Sequence, residues 1–204
     1  VDNLRELGIK VVVVKGPKSI ADVKENVKLI AKTLGEEDKG NLMIAKMDDK
    51  LAEIKEKVDN IKPEERKKLV LISLMTSYGG KGCTFDDICQ YAGVINGVSD
   101  AGLHNGQLLT KEMLVAINPD LLIMPVYNDH NTFDIEKYNK EFLDDPALQT
   151  LNAVKEKRFF YPREGYIYNS SQDIVFGVQE VARAAYGELF SQPENCHISV
   201  AEIN

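Results

Sequence analysis

The fold is decided between Lys68 and Met124. There the chain reads LVLISLM over 69–75, SYGGKGCT over 77–84 and NPDLLIM over 118–124. The first run is a short apolar stretch, and the last run ends in one. Stretches of this kind are buried on both faces of a parallel sheet. The glycines of the middle run cannot continue the first strand, so they predict a loop at its carboxyl end.

Two helices are predicted between these strands. Phe85–Ala92 has helical spacing, and Gly93 stands where such a helix should stop. Lys111–Asn118 predicts a second short helix, which Pro119 ends. The order of strand, loop, helix, helix and strand predicts an open α/β sheet. Such sheets bind ligands at the carboxyl ends of their strands, where the 77–84 loop would lie.

Further elements are predicted on both sides of this segment. Upstream, Ile9–Val14 has the composition of a buried strand, and Ile20–Leu34 and Glu36–Asn60 have the apolar periodicity of two amphipathic helices. Downstream, Arg158–Tyr161 predicts a third strand and Ser171–Leu189 a closing helix. The upstream strand needs partners for its backbone groups, so either it joins the later sheet or its partners lie outside this sequence.

Composition excludes several classes of function. The 204 residues carry a formal net charge of −7 without a concentrated basic stripe, which argues against nucleic acid as a partner. We find no apolar run long enough to span a membrane. The three cysteines lack metal-ligand spacing, so they predict neither a disulfide framework nor a zinc site, and only Cys83 in the loop merits a test of reactivity.

Polar and aromatic residues follow each of the three strands. If the strands are parallel, these residues project from one edge of the sheet as a candidate ligand site. Tyrosine rings supply contact area with a polar tip, and arginine supplies a fixed fork for anionic oxygens, so the set suits a large, flat, partly anionic ligand or a metal chelate. The alternative is that some of these tyrosines only pack the loops. The candidates are Tyr78, Tyr127, His130, Arg163, Tyr166 and Tyr168.

This edge of the sheet allows two narrower interpretations. His104 or His130 could be an axial ligand to a haem iron, although a surface histidine is the more common case. The Gly-rich run GGKG at 79–82 invites a phosphate-loop interpretation, but Lys81 is followed by Gly82 and Cys83, and not by the serine or threonine that a P-loop requires.

The order and spacing of several short motifs resemble a known family. They are similar to the C-terminal two-thirds of the substrate-binding proteins of iron-siderophore, haem and cobalamin ABC importers, the class whose lobes are joined by one helix. The motifs are Leu34-Gly35, Gly82-Cys-Thr-Phe85, Ala92-Gly93, Asn96, Glu112, Asn118-Pro-Asp120, and Leu151-Asn-Ala-Val-Lys155 with Arg158.

The resemblance implies a fold and a division into domains. The fold class is α/β, a Rossmann-like parallel-rich sheet with flanking helices, preceded by a long linking helix and a remnant strand of an N-terminal lobe. The implied boundaries are residues 1–35 for the remnant, 36–62 for the inter-lobe helix and 63–204 for the C-terminal ligand-binding lobe. Most of the N-terminal lobe is then absent, and we expect a fragment that binds ligand weakly.

The resemblance also implies a function. We expect a non-enzymatic, extracytoplasmic component, periplasmic or lipid-anchored, that carries a ferric chelate, haem or cobalamin and has no intrinsic cofactor or metal. Glu112 matches the position that docks onto the membrane permease in this family, and it is also an ordinary first-turn glutamate. The exposed edge of the remnant strand could support self-association. The rival hypothesis is a cytoplasmic doubly wound enzyme or sensor domain that binds a phosphorylated ligand through the Tyr78–Thr84 loop.

Overall fold

One parallel sheet lies at the centre of the fold. The computed structural model describes residues 1–74, 77–126, 133–163 and 165–201. Within these ranges the sheet has four strands in the order β2-β1-β3-β4, and every neighbouring pair is parallel. All the strands therefore end at the same edge, which is the condition for the candidate ligand site predicted from the sequence. The strands are β1 Lys68–Leu71, β2 Ile95–Asn96, β3 Leu121–Ile123 and β4 Phe159–Phe160.

Helices cover both faces of the sheet, so the predicted α/β class is confirmed. The helices predicted over Ile20–Leu34 and Glu36–Asn60 form, the second as Glu37–Val58. Those predicted near Phe85, Lys111 and Ser171 also form, whereas the helices numbered α5, α7 and α8 below were not predicted. The helices are α1 Asp2–Glu6, α2 Ile20–Leu34, α3 Glu37–Val58, α4 Thr84–Tyr91, α5 Gly97–Asp100, α6 Lys111–Ile117, α7 Ile135–Leu143, α8 Asn152–Lys155 and α9 Ile174–Tyr186.

Local capping explains where α2 begins and ends. The Ser19 side chain accepts a hydrogen bond from the backbone N–H of Asp22 at 3.1 Å, which satisfies one of the first-turn donors. Gly35 closes the helix in the left-handed conformation at φ +71°, where a side chain would be strained. The backbone N–H of Ile20 donates to Asp87 at 2.7 Å, so the start of α2 is tied to α4.

The core has two layers, because successive strand residues point to opposite faces of the sheet. Leu69 and Leu71 face α2, α3, α4 and α9, whereas Val70 faces α6 and α8. Gly40 lets α2 and α3 approach closely, since a Cβ placed there would lie 2.4 Å from the Cβ of Ala31. Helices α2 and α3 thus share one hydrophobic core with the sheet, and the proposed domain boundaries stay a prediction.

The prediction of a strand at Ile9–Val14 is wrong. This segment has no regular secondary structure and its apolar side chains, apart from the half-buried Val11, are exposed, Val13 by 52%. No strand of the described residues pairs with it, and an extended segment without a partner leaves its backbone groups to water. The apolar face predicted for α2 is also only partly covered: Val23 and Ala31 are buried, but Leu34 is 70% exposed.

Residues 197–200 have no regular secondary structure. Side-chain contacts fix the segment instead: the backbone N–H of Ile198 donates to Asp173 at 2.9 Å. Among the described residues, no helix combines the length and the apolar composition that crossing a bilayer requires.

Candidate functional site

Two tyrosines meet at the edge where the strands end. Tyr78 follows β1 and Tyr168 follows β4, and their ring centroids lie 5.6 Å apart at an interplanar angle of 38°. The hydroxyls of Tyr78 and Thr84 share a hydrogen bond of 2.9 Å, and the Tyr168 hydroxyl bonds to the Ser73 side chain. Burial raises the pKa of both phenols, so both stay protonated at neutral pH. The pair is therefore half-buried, with neutral hydroxyls that already bond to neighbouring side chains, and presents the remaining part of its rings at this edge.

A small cleft of about 70 Å³ lies beside Tyr78. It is lined by the end of β1, by the start of α6 and by Tyr138 and Phe142 of α7, with Thr110 and Lys111 among the polar residues. The cleft is well below the roughly 300–1,000 Å³ of a pocket that encloses a small molecule. This edge of the sheet can therefore form one side of a ligand site, but the cleft beside Tyr78 does not enclose a ligand.

Sequence analysis missed Tyr138, Thr110 and Lys111 as candidates for this site. Tyr138 was missed because α7 itself was not predicted. The pattern was present, since Asp134 caps the helix and Ile135, Tyr138 and Phe142 recur at helical steps of three and four.

The Gly-rich loop that carries Tyr78 is held by the backbone of residues 103–106. The N–H of Lys81 donates to Leu103 at 2.9 Å, and the N–H of Gly106 donates to Ser77 at 2.8 Å. Gly80 packs so closely here that a Cβ would lie 2.7 Å from the backbone of His104. The loop is therefore a fixed support for Tyr78.

The same loop is poorly suited to bind phosphate. The backbone N–H of Gly82 points to the carboxylate of Asp86 at 3.4 Å. Asp86 is buried and also accepts from the Asn96 side chain at 2.9 Å, while Asn96 donates to the Gly79 carbonyl at 2.8 Å. A carboxylate at this position would repel a phosphate, so the geometry offers no support for the rival phosphorylated-ligand hypothesis.

Arg163, predicted to bind ligand, is instead engaged within the protein. Its backbone N–H donates to Glu180 at 2.9 Å, and its Nη2 donates to the same carboxylate at 3.0 Å. Its Nη1 donates to the carbonyls of Gln192 and Pro193. The guanidinium thus joins the loop after β4 to α9 and to the C-terminal tail.

Tyr166, also predicted to bind ligand, anchors the same tail. Its hydroxyl donates towards the carbonyl of Cys196 at 3.0 Å and accepts from the Cys196 N–H at 2.8 Å. Gly177 of α9 lets the loop pack against the helix, since a Cβ there would lie 2.4 Å from the Tyr166 carbonyl oxygen. Arg163 and Tyr166 therefore position the loop that ends in Tyr168.

The structure brings some of the predicted residues together and separates others. Tyr78 and Tyr168 are in contact. Arg163 lies over the ring of Tyr166 at 5.9 Å, but the hydrogen bonds of these two side chains include contacts to the C-terminal tail. Tyr127 and His130 lie outside the described residues. A ligand-binding role stays a prediction for all six.

Glu112 lies in the first turn of α6, next to the cleft residues Thr110 and Lys111. It is fully exposed. Hydrogen bonds from its own backbone N–H and from the Thr110 side chain lower the pKa of its carboxyl group, so the charge persists at neutral pH. An exposed carboxylate beside the ligand edge is consistent with a contact to another protein.

Metal chemistry gains no support from the described residues, which contain no group of three or more His, Cys, Asp or Glu that could hold a metal ion. Cys83 is buried, and burial raises the pKa of its thiol. The loop cysteine is thus a core residue, and not an activated nucleophile.

The sequence and the fold are both similar to those of known proteins. A sequence profile of the periplasmic binding protein family matches residues 2–164. YvrC, an uncharacterised ABC transporter substrate-binding lipoprotein of Bacillus subtilis strain 168, is 25% identical over 198 residues, which cover 94% of this chain. The chain spans only 59% of the length of that relative.

Two solved structures share the fold. The periplasmic haem-binding protein RhuT of Roseiflexus sp. RS-1 superposes with a TM-score of 0.76 at 18% identity, over 91% of this chain and 70% of that one. A possible iron-binding periplasmic protein of Staphylococcus epidermidis gives a TM-score of 0.74 at 20% identity, over 91% of this chain and 69% of that one. Identities at this level establish the fold alone.

Proposed function

We propose, because this chain belongs to the periplasmic binding protein family, that it forms the C-terminal part of the substrate-binding component of an ABC importer. We propose a ferric chelate, haem or a corrinoid as its cargo. The names of the relatives support this choice: YvrC is a substrate-binding lipoprotein, RhuT binds haem, and the Staphylococcus protein is described as possibly iron-binding.

The observation that carries the proposal is the pair of Tyr78 and Tyr168 at the carboxyl edge of the sheet. Two adjacent rings with neutral hydroxyls suit the flat face of a macrocycle or of an aromatic chelate. Their raised pKa values favour hydrogen bonding over ligation of iron as phenolates. Tyr138 and Thr110 extend the same surface, and Tyr127 and His130 remain predicted contacts.

The remaining parts of the proposal concern partners and location. Glu112 would contact a membrane permease, and the protein would act outside the cytoplasm, in a periplasm or on a lipid anchor. We expect transport and no catalysis. The exposed valines at 12–14 would supply an apolar contact if two copies associate, which sedimentation velocity at increasing concentration would test.

An absorbance titration tests the proposed cargo. The chain is titrated with haemin, cobalamin, and ferric catecholate and hydroxamate chelates, together with Tyr168→Ala and the control Tyr91→Ala, an exposed tyrosine on α4. We expect saturable binding of one ligand class and affinity about tenfold lower for Tyr168→Ala, because one ring contact is lost. Equal affinity of both variants and wild type would overturn the assigned surface. Binding of none would shift the essential contacts to the lobe that this chain lacks, and the full-length protein would then be titrated.

A further inference from the structure

Asn96 lies where three segments around the Tyr78 loop meet. It is the last residue of β2 and the N-cap of α5, and only 6% of its surface is exposed. Its side chain bonds to the Gly-rich loop, to α4 and to the backbone of α5. Asn96 can therefore fix the position of the loop relative to the sheet.

All the hydrogen-bonding capacity of this amide is used. Nδ2 donates to the Gly79 carbonyl at 2.8 Å and to Asp86 Oδ1 at 2.9 Å. Oδ1 accepts from the backbone N–H groups of Val98 at 3.2 Å and of Ser99 at 3.5 Å. An asparagine amide offers two donors and two lone pairs, so these four bonds saturate it and fix its orientation.

Both acceptors that Asn96 bonds lie next to the contacts of Tyr78. Gly79 follows Tyr78 directly in the chain. Asp86 lies in the first turn of α4, two residues after Thr84, whose hydroxyl shares a hydrogen bond with that of Tyr78. Asp86 is 7% exposed, and a buried carboxylate is costly without hydrogen-bond donors, one of which Asn96 supplies.

Helix α5 supports the loop from a further side. The backbone N–H of Leu103 donates to the Val98 carbonyl at 3.1 Å, and the Leu103 carbonyl accepts from the N–H of Lys81 in the loop at 2.9 Å. By capping α5, Asn96 thus also fixes the start of the segment that holds the loop.

We propose that Asn96 is the positioning residue of the ligand edge: its amide holds the Gly-rich loop so that the ring of Tyr78 meets that of Tyr168. Asn96 itself would touch no ligand. The importance of this contact for binding rests on the proposed function, but the contact is measured on the chain without ligand. A chain that binds neither haemin nor any chelate would therefore still test the role of Asn96.

Asn96→Asp removes the two donors while it keeps the shape of the side chain. The carboxylate can still accept from the backbone of α5 and so cap the helix. It cannot donate to Gly79, and it stands beside the carboxylate of Asp86 with like charge. The substitution therefore acts on the bonds to the loop and to α4, and spares the cap.

The nuclear Overhauser effect (NOE) between the rings of Tyr78 and Tyr168 measures the contact. It is recorded on the 204-residue chain with isotope-labelled tyrosine and phenylalanine rings. We expect Asn96→Asp to lose this NOE at about pH 7, because the loop is released from its donors. The NOE between Tyr166 and Phe176, whose ring centroids lie 5.8 Å apart, should persist and show that the loop after β4 has not moved.

Acidification separates lost positioning from general damage. Like charges at hydrogen-bond distance raise the pKa of a carboxyl pair, so at about pH 5 the pair at positions 86 and 96 of Asn96→Asp should share a proton and form a bond again. The NOE between Tyr78 and Tyr168 should then return in part.

Other titratable groups near Asp86 and Asn96 do not confuse this result. Burial raises the pKa of the Cys83 and Cys89 thiols, so both stay protonated over this range. Wild type at both pH values controls for the remaining groups, which are Asp87 of α4, whose pKa is also raised by burial, and Asp100 of α5, which pairs with Lys68 at 2.8 Å.

Two further variants complete the experiment. Asn96→Ser guards against a charged variant that fails to fold: its hydroxyl can cap α5 but is too short to reach Gly79 or Asp86, so the NOE should be lost at both pH values. Asn152→Asp makes the same change at the exposed first residue of α8 and should retain the NOE.

Three results would overturn the role of Asn96. The first is an unchanged NOE between Tyr78 and Tyr168 in a folded Asn96→Asp or Asn96→Ser chain. The second is a loss in folded Asn96→Asp that acidification does not reverse. The third is a loss of the NOE between Tyr166 and Phe176 together with the first, which would indicate general disruption.

Discussion

Glu180 keeps its charge although its side chain has no exposed surface. Burial by itself would raise the pKa of this carboxyl, but hydrogen bonds from Arg163, Arg183 and Gln192 outweigh burial and lower the pKa. The two arginines are only partly exposed, and both lie within 3.0 Å of the carboxylate. The cluster fastens the loop after β4 to α9, so Glu180 supports the position of Tyr168 without touching a ligand.

Glu180→Gln should lower the free energy of unfolding by about 2–4 kcal/mol, because it leaves two arginines without their buried counter-charge. Urea denaturation measures the change, and Glu188→Gln, an exposed glutamate nearby, should stay within about 0.5 kcal/mol of wild type. Because the folded pKa of Glu180 is depressed, its contribution is present at neutral pH and is lost as the pH falls through the folded pKa. If the free energy of unfolding of Glu180→Gln fell with decreasing pH as steeply as that of the wild type, this account would be contradicted.

The three thiols should differ sharply in reactivity. Cys83 and Cys89 are buried, and burial raises the pKa of each, whereas Cys196 is partly exposed in the tail. Ellman's reagent should therefore modify one thiol of the native chain readily and all three only after unfolding. Rapid reaction of Cys83 in the native chain, identified by mass spectrometry, would show that the loop opens.

The contact between α2 and α3 depends on Gly40. An alanine there would normally favour the helix by about 1 kcal/mol, but its Cβ would lie 2.4 Å from Ala31. We expect the clash to prevail and Gly40→Ala to destabilise the chain by about 1–3 kcal/mol in thermal or urea unfolding. Gly16→Ala is the control, since a Cβ there meets nothing within 4 Å. A stabilised Gly40→Ala variant would mean that the two helices can move apart.

Elements with a strong local pattern were predictable from the sequence. The apolar runs at β1 and β3 and the periodicity of α2 and α3 gave the right types. The bounds are close for β3 and for both helices, whereas the run predicted as a strand as far as Met75 forms one only to Leu71. Strand β2 is two residues long, too short to show a pattern. Ile9–Val14 has strand composition, but a strand also needs a partner, and composition carries no information about partners. The same limit applies to Arg163, whose engagement with Glu180 is a contact between distant residues.

The position of Glu112 beside the ligand edge leads to a prediction about the intact importer. Glu112→Arg in the full-length protein should leave ligand affinity unchanged and lower cellular uptake about tenfold, because an exposed docking charge is reversed. Glu64 precedes β1 and so lies at the opposite edge of the sheet. The control variant Glu64→Arg should therefore support normal uptake. Unchanged uptake by Glu112→Arg would rule out the docking role.

At the scale of the whole molecule, the sequence predicted only part of the candidate site. The parallel arrangement of strands placed the loops of Tyr78 and Tyr168 at one edge, and the structure brings those two rings into contact. Tyr138 depended on a helix that was not predicted. Tyr166 has the same residue type as Tyr168 and lies two positions before it, yet its hydroxyl bonds to the tail, a contact between distant residues that the local sequence does not reveal.

The tyrosine pair also determines how this protein can be observed. The chain contains eight tyrosines and no tryptophan, so its ultraviolet fluorescence arises from tyrosine alone. Tyr78, Tyr168 and Tyr138 emit from the edge where we expect the ligand to bind. A coloured metal complex seated there would quench these emitters by energy transfer, so the protein would act as its own label-free reporter of ligand occupancy.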